Sequence, residues 1–133
     1  MTRINAGIPV TTLCDQHLLA EAREIKRIPN CIISGRYNLI GQPKKFTLGT
    51  GHVKFFYDKQ LYLFNRYQEL YSECLKRGFK VTDFSNAWNG IPNDLLNDYV
   101  PSDTDRLIIM DRINERLDGM KKITYTKHLE IKN

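Results

Sequence analysis

The sequence has few of the features that mark membrane-spanning, secreted or repeat proteins. It contains no apolar run near the roughly 20 residues that a membrane span needs, and no charged-then-apolar leader at its start. Its three cysteines are odd in number and scattered, which argues against a disulfide framework. No internal repeat, low-complexity tract or flexible linker divides the 133 residues. We therefore expect one intracellular, cytoplasmic domain over residues 1–133, with reduced thiols and no membrane contact.

Negative charge is scarce in the first half of the chain. Residues 1–60 hold nine Lys and Arg against four Asp and Glu, whereas residues 61–133 hold eleven of each. The whole net charge of +5 therefore lies with the N-terminal segments. Concentrated positive charge favours polyanions through counterion release, so nucleic acid is the leading candidate partner.

Familiar metal-binding and catalytic patterns are also missing. Cys14 and His17 have a spacing that some metal sites use, but no second Cys/His pair completes four ligands, so we expect no metal. Gly49 and Gly51 are not followed by the lysine or further glycine of a phosphate-binding loop, which favours a tight turn beside a nucleic acid. No Ser-His-Asp pattern or Walker-type loop stands out.

The apolar pattern predicts an all-α fold: a compact single domain of three main helices with long loops and little or no sheet. The first helix should begin in a capping box at Thr12 and end before Pro29, the second should run from an Asp58 cap to Gly78, and the third should start at Ser102. On the first helix we expect one stripe to face the core, formed by Cys14, Leu18, Ala22 and Ile25. A second stripe should face away from the core, formed by His17, Glu21, Glu24 and Arg27. Short strands are possible around residues 53–56, and Trp88 is expected to be a packing anchor.

The start of the chain carries a candidate nucleophile. A free α-amine has a pKa of about 7.7–8.0, so near neutral pH a sizeable fraction is unprotonated. Removal of Met1 would place that amine on Thr2, and a small second residue is compatible with such processing. Nearby cations would lower the amine's pKa further, and Glu24 could stabilise a cationic intermediate and shuttle protons. These residues suit amine-based lyase chemistry on an anionic polymer, although a frayed, inert terminus and a surface Glu24–Arg27 pair are the ordinary alternatives.

Several cations could hold phosphates on either side of a reacting nucleotide. They are Arg3, Arg23, Lys26 and Arg27, with Arg112 and Arg116 one turn apart on the third predicted helix.

Five segments together resemble a known family. They are residues 1–5, the helix at 15–24, GHVKFFYDK at 51–59, ECLKRGF at 73–79 and DYVP at 98–101. In this order they resemble the phage pyrimidine-dimer DNA glycosylase/AP lyase, also called the UV-repair type of endonuclease V. The resemblance covers nearly the whole chain.

The resemblance implies an all-α domain without metal or organic cofactor, acting as a monomer on double-stranded DNA that contains UV lesions. If the gene is carried by a bacteriophage, the site of action would be the host cytoplasm. By the resemblance, the Thr2 α-amine attacks C1′ of the damaged nucleotide, Glu24 is the essential carboxylate, and β-elimination cuts the strand. Seven further residues match DNA-contacting positions: Arg3, Gln16, His17, Arg23, Arg27, Arg112 and Arg116. The base opposite the lesion would be flipped into a protein pocket.

Departures from the family pattern leave alternatives open. The family's best-known member ends in an aromatic-rich tail, whereas residues 122–128 here read KITYTKH, with one aromatic. The loop before residue 51 is shorter and the N-terminal arm is one residue longer. A glycosylase for another damaged or modified base is therefore an alternative, and a non-catalytic DNA-binding module is a second one.

Overall fold

Helices supply the regular structure of the chain. The computed structural model describes residues 2–130, and it contains five α-helices: α1 (Asp15–Glu24), α2 (Arg27–Ile33), α3 (His52–Phe55), α4 (Gln60–Lys76) and α5 (Asp103–Asp118). Single 3-10 turns occur at Val10–Thr12, Ser85–Trp88 and Asn93–Leu95. Over the described range there is no strand, only an isolated bridge between Lys59 and Leu96. The predicted all-α class is confirmed. The predicted first helix is divided into α1 and α2, and Pro29, which is predicted to follow its end, lies inside α2.

Helix α1 begins three residues later than the sequence pattern predicts. The predicted capping box at Thr12 is wrong, because the Asp15 carboxylate that would close it accepts hydrogen bonds from Thr124, Thr126 and Arg77 instead. Cys14 caps the helix, with its sulfur 3.5 Å from the amide nitrogen of His17. Burial would raise the pKa of Asp15, but these donors hold it at about 2.

The predicted core stripe of the first helix is confirmed, whereas the predicted outer face is confirmed for Arg27, which is exposed, and wrong for its two glutamates. Leu18 and Ile25 are fully buried, as expected. Glu21 and Glu24, predicted to face away from the core, are buried as well, with 1% and 9% of their surface exposed. The reason is that α1 is covered on a second side by the N-terminal arm (residues 2–9), whose bonds to α1, α4 and α5 are described below.

The segment before α4 is helical rather than extended. Residues 52–55 form α3, so the short strand suggested around residues 53–56 is wrong. Asp58 does not cap α4, because its carboxylate is bonded to the side chains of Gln42 and Lys59. The predicted stop is confirmed, since α4 ends at Lys76 and Gly78 follows with a φ of +86° that favours glycine.

Helix α5 begins where the sequence predicts. Ser102 and Asp105 form a capping box, and each side chain bonds the other residue's backbone amide. Ile109 and Ile113, on one side of α5, are buried. Trp88 is confirmed as a packing anchor, because its ring lies 5.4 Å from the centroid of the Tyr67 ring.

A buried ion pair joins α1 to α4. Nε and a terminal nitrogen of Arg66 lie 2.9 and 3.0 Å from the two carboxylate oxygens of Glu21, and the two side chains are 4% and 1% exposed. The other terminal nitrogen of Arg66 donates to the carbonyl of Ile8. Burial lowers the pKa of Arg66, but Glu21 more than offsets this, so the pKa is raised overall and the guanidinium stays charged. The pair fixes the arm against the helices.

Within residues 2–130, no helix combines the length and the apolar character that a bilayer span requires.

We predict that Arg66→Met lowers the free energy of unfolding by about 3–5 kcal/mol, because Glu21 would remain as an uncompensated buried charge. The measurement is urea denaturation at pH 7 followed by circular dichroism. Arg106→Met is the matched control: Arg106 pairs with Asp103 at the surface, so its loss should cost less than about 1 kcal/mol. Equal costs for the two substitutions would contradict this account.

Candidate active site

A cleft lies where the N-terminal arm crosses between α1 and α5. It encloses about 310 Å³, part of it open to solvent. Three elements contribute charged or polar residues to its walls. The arm contributes Arg3 and Asn5, α1 contributes His17, Glu21 and Glu24, and α5 contributes Arg112 and Arg116. Predicted site residues that are more than 80 positions apart in the chain therefore meet in one place.

Both peptide groups of Ile4 are held. The Ile4 N–H donates to Nε2 of His52 at 2.9 Å, and the Ile4 carbonyl accepts from a guanidinium nitrogen of Arg112 at 3.3 Å. The same nitrogen of Arg112 lies 3.0 Å from Oδ1 of Asn5, whose amide donates to Glu21 at 2.9 Å. Because Ile4 is also completely buried, the arm has a fixed path two residues from Thr2, which is itself only 9% exposed.

Glu24 presents its carboxylate to this cleft. The residue is 9% exposed, and within residues 2–130 no group hydrogen-bonds to the carboxylate or forms an ion pair with it. The Glu24–Arg27 surface pair considered from the sequence is therefore not formed. The charge of Glu24 partly opposes the lowering of the pKa values of Arg112 and Arg116 on α5.

Three arginines crowd the same cleft. Burial and then repulsion from Arg116 and Arg3 lower the pKa of Arg112 to about 10. Burial and then repulsion from Arg3 lower the pKa of Arg116. The Nε atoms of Arg3 and Arg116 are both buried, and neither has a hydrogen-bond partner among residues 2–130. Buried donors and mutually repelling cations favour an anion, and a phosphate matches the geometry of guanidinium groups.

His17 lies at the edge of the cleft, one turn from Glu21. Its pKa is lowered, first by partial burial and then by repulsion from Arg116, Arg3 and Arg112. The imidazole is therefore neutral near pH 7, so it can both donate and accept a hydrogen bond.

Three residues predicted to contact DNA lie elsewhere. The side chain of Gln16 is bonded to Thr124 in both directions, at 3.0 and 3.2 Å. Arg27 is exposed at the start of α2. Arg23 is exposed and lines a separate groove along α1 and α4, described here as the aromatic groove: Leu19, Ala22, Arg23, Lys26, Tyr67, Tyr71, Val81, Thr82 and Phe84. The DNA contacts assigned to these three residues stay predictions.

Sequence reasoning missed the residues that hold the arm. The buried contacts of the arm are made by four residues: Asn5, Glu21, His52 and Arg66. Of these, the helical pattern considers only Glu21, and it places Glu21 on the exposed face. Asn5 and His52 lie inside segments that carry the family resemblance, which was the available signal. Nothing local to the sequence pairs Glu21 with Arg66, since the two residues are 45 positions apart.

Among residues 2–130, no three or more His, Cys, Asp or Glu side chains are grouped so that they could hold a metal ion. The three cysteines are all free, and Cys14 and Cys74 are buried.

Comparison with protein families agrees with this geometry. A family described as pyrimidine dimer DNA glycosylase matches residues 1–86, about two thirds of the chain. The chain belongs to the pyrimidine dimer DNA glycosylase family. The protein is therefore a DNA glycosylase, and DNA is its substrate. The matched range includes the arm, α1, His52 and α4, whereas α5 lies beyond it and adds Arg112 and Arg116 to the same cleft.

We predict that NMR titration of the His17 ring protons gives a pKa below 6.5, and that Arg116→Gln moves it upward by removing one repelling charge. The matched control is Arg106→Gln, at the other end of α5 and outside the cleft, which should leave the His17 titration unchanged. A His17 pKa above 6.5 in wild type, or one that Arg116→Gln leaves unchanged, would show that the cations do not converge on His17.

Proposed function

We propose that the protein excises UV-induced cyclobutane pyrimidine dimers from duplex DNA and then cuts the strand as an AP lyase. The observation that carries the proposal is the convergence of the arm, Glu24 and three arginines on one cleft. A covalent mechanism needs an amine, a carboxylate and phosphate-binding groups together. The cleft supplies the carboxylate and the phosphate-binding groups, and its wall includes Arg3, the residue after Thr2.

The nucleophile in this proposal is the α-amine of Thr2, exposed when Met1 is removed. The amine attacks C1′ of the damaged nucleotide, the base departs with the electrons of the glycosidic bond, and the amine loses a proton. Opening of the sugar ring then leaves an imine between the Thr2 nitrogen and C1′. Arg3, Arg112 and Arg116 support this step, because their positive charge lowers the pKa of a nearby amine and leaves more of it unprotonated.

Glu24 has two tasks in the proposal. Its negative charge stabilises the cationic character that develops at C1′ and on the imine nitrogen. It also moves protons, first in ring opening and then in β-elimination, where loss of a proton from C2′ expels the 3′ phosphate oxygen. Its burial and its freedom from ion pairs within residues 2–130 suit both tasks, since a carboxylate already bound to an arginine would be a weaker base.

The aromatic groove is our candidate for an extruded base. A base removed from the duplex needs an aromatic surface for stacking, which the partly exposed rings of Tyr71 and Phe84 offer. Tyr67 is only 1% exposed and stacks against Tyr71 from within the core. Lys26 lies over the Phe84 ring at 3.3 Å from its centroid, and Arg23 lines the rim, so a phosphate beside the extruded base would also find a cation. This arrangement supports the predicted DNA contact of Arg23 on the side of α1 away from Glu24.

A second candidate function is removal of a different damaged or modified base. The observation that favours it is the tail: Thr124 and Thr126 are tied to Asp15, and Tyr125 between them is the one aromatic, 57% exposed. A tail held this way offers a single ring to the lesion, where the family's best-known member has an aromatic-rich segment.

Glu24→Gln should abolish base release from UV-irradiated duplex while leaving affinity for that duplex within about threefold, because the amide keeps the shape and loses the charge and the proton-transfer function. Glycosylase assays and DNA-binding titrations on the same oligonucleotide are the measurement. Glu69→Gln, on the exposed face of α4, is the control and should keep wild-type activity. Normal base release by Glu24→Gln would remove Glu24 from the mechanism.

Duplexes carrying a pyrimidine dimer, an abasic site or an oxidised base distinguish the two candidate functions. We expect borohydride-trapped adducts on the dimer and abasic duplexes, and none above background on the oxidised one, because the abasic aldehyde requires only the lyase half of the reaction. Trapping on the oxidised base in preference to the dimer would favour the second candidate. Absence of an adduct on all three would favour a non-catalytic DNA-binding module.

A further inference from the structure

His52 lies beneath the N-terminal arm and outside the cleft itself. Its ring is 2% exposed and is packed edge-on against Phe46 and Phe56, with ring centroids 5.5 and 5.3 Å away. Nδ1 is 2.9 Å from the carbonyl oxygen of Thr47, so that nitrogen carries the proton and donates. Nε2 is then left without a proton, and it accepts the N–H of Ile4. One tautomer of the neutral ring satisfies both contacts.

We propose that His52 is a positioning residue for the reaction: by accepting the Ile4 N–H, it holds the N-terminal arm so that the amine two residues earlier reaches C1′. The inference rests on the proposed role of the Thr2 amine. His52 touches neither DNA nor the reacting atoms, and it acts only through the backbone of Ile4. Arg112 holds the carbonyl of the same residue, so the peptide groups on both sides of the Ile4 α-carbon are fixed.

Rigidity at this point has a direct consequence for the chemistry. The arm forms no helix or strand, and a nucleophile at the end of an unsupported chain samples many positions. A misplacement of about 1 Å can cost on the order of 10²-fold in rate. Among residues 2–130, the bond to His52 is the backbone N–H bond of the arm that lies nearest to Thr2 in the chain, so its loss would directly affect the placement of the amine.

Charge on the ring would destroy the contact. Protonated Nε2 would become a donor facing the Ile4 N–H, which is also a donor. The groups around His52 oppose protonation overall: burial lowers its pKa to about 4, the bond to the Thr47 carbonyl offsets part of this, and the smaller effects of Arg112 and Glu21 lower and raise it respectively. The neutral form, and with it the arm's position, is therefore maintained across the range in which the amine must work.

The test compares two substitutions with wild type on an abasic-site duplex. His52→Phe keeps a ring of similar size among the aromatic neighbours and removes the acceptor, whereas His52→Gln can accept from Ile4 and donate to Thr47. At saturating DNA, the single-turnover rate of borohydride-trappable imine formation should fall by at least about tenfold in His52→Phe and recover to within about threefold of wild type in His52→Gln. The dissociation constant for the duplex should change by less than about twofold in both.

A structural readout separates positioning from folding. Hydrogen exchange of the Ile4 amide should accelerate in His52→Phe, while the exchange of core amides in α4 stays as in wild type. The pH dependence of stability is a second readout. An unfolded chain takes up a proton at His52 near pH 6.5, but the folded chain does so only near pH 4, so the free energy of unfolding of wild type falls as the pH is lowered from 6.5 to 4. In His52→Gln this contribution to acid destabilisation should be absent.

Glu69→Gln, on the exposed face of α4, provides the control; its imine-formation rate should equal that of wild type. Equal rates in wild type and His52→Phe would overturn the inference and leave the proposed function intact. Equal losses in His52→Phe and His52→Gln would also overturn it, because the acceptor would then not matter. Absence of any adduct with wild type would mean that the proposed function itself fails, and the positioning role with it.

Discussion

The buried bond between Glu21 and Arg66 is the constraint on which the rest of the structure depends. It removes two charges from water and links α1 to α4, and both partners then use their remaining hydrogen-bonding capacity on the N-terminal arm. Glu21 accepts from Asn5, and Arg66 donates to Ile8. Because Asn5 also accepts from Arg112, a continuous set of hydrogen bonds runs from α4 through α1 and the arm to α5. A segment that would ordinarily fray becomes part of the core.

Under the proposed function, this constraint explains how a small helical protein can build an active site from the start of its chain. The arm that contributes to the cleft is held from four helices at once: α1, α3, α4 and α5. The cost is electrostatic: besides burial, repulsion from Arg116 and Arg3 lowers the pKa of Arg112, and repulsion from Arg3 lowers that of Arg116. The buried Nε atoms of Arg3 and Arg116 also have no hydrogen-bond partner among residues 2–130. An anionic backbone entering the cleft relieves both penalties, which couples DNA binding to the stability of the site.

Much of the fold could be predicted from local patterns, and most of the buried polar contacts could not. The Ser102 capping box and the glycine after α4 specify helix ends through their own backbone chemistry, so short windows were sufficient. Residues 53–56 were misread because a run of valine and aromatic side chains suits a strand equally well, and only their packing in the fold makes them helical. Glu21 was misplaced because burial of a charge depends on a partner 45 residues away. The resemblance to a family supplied Glu24 and the arginines of α5, but no pattern indicated the contact between His52 and Ile4.

The central claim is that the first amine of the processed chain forms the covalent bond to DNA. Its most direct test is mass spectrometry of the borohydride-reduced adduct, with protease mapping of the modified peptide. The account predicts one sugar-phosphate adduct on the α-nitrogen of Thr2, in a peptide that lacks Met1. An adduct on a lysine side chain, or on a chain that still carries Met1, would contradict it.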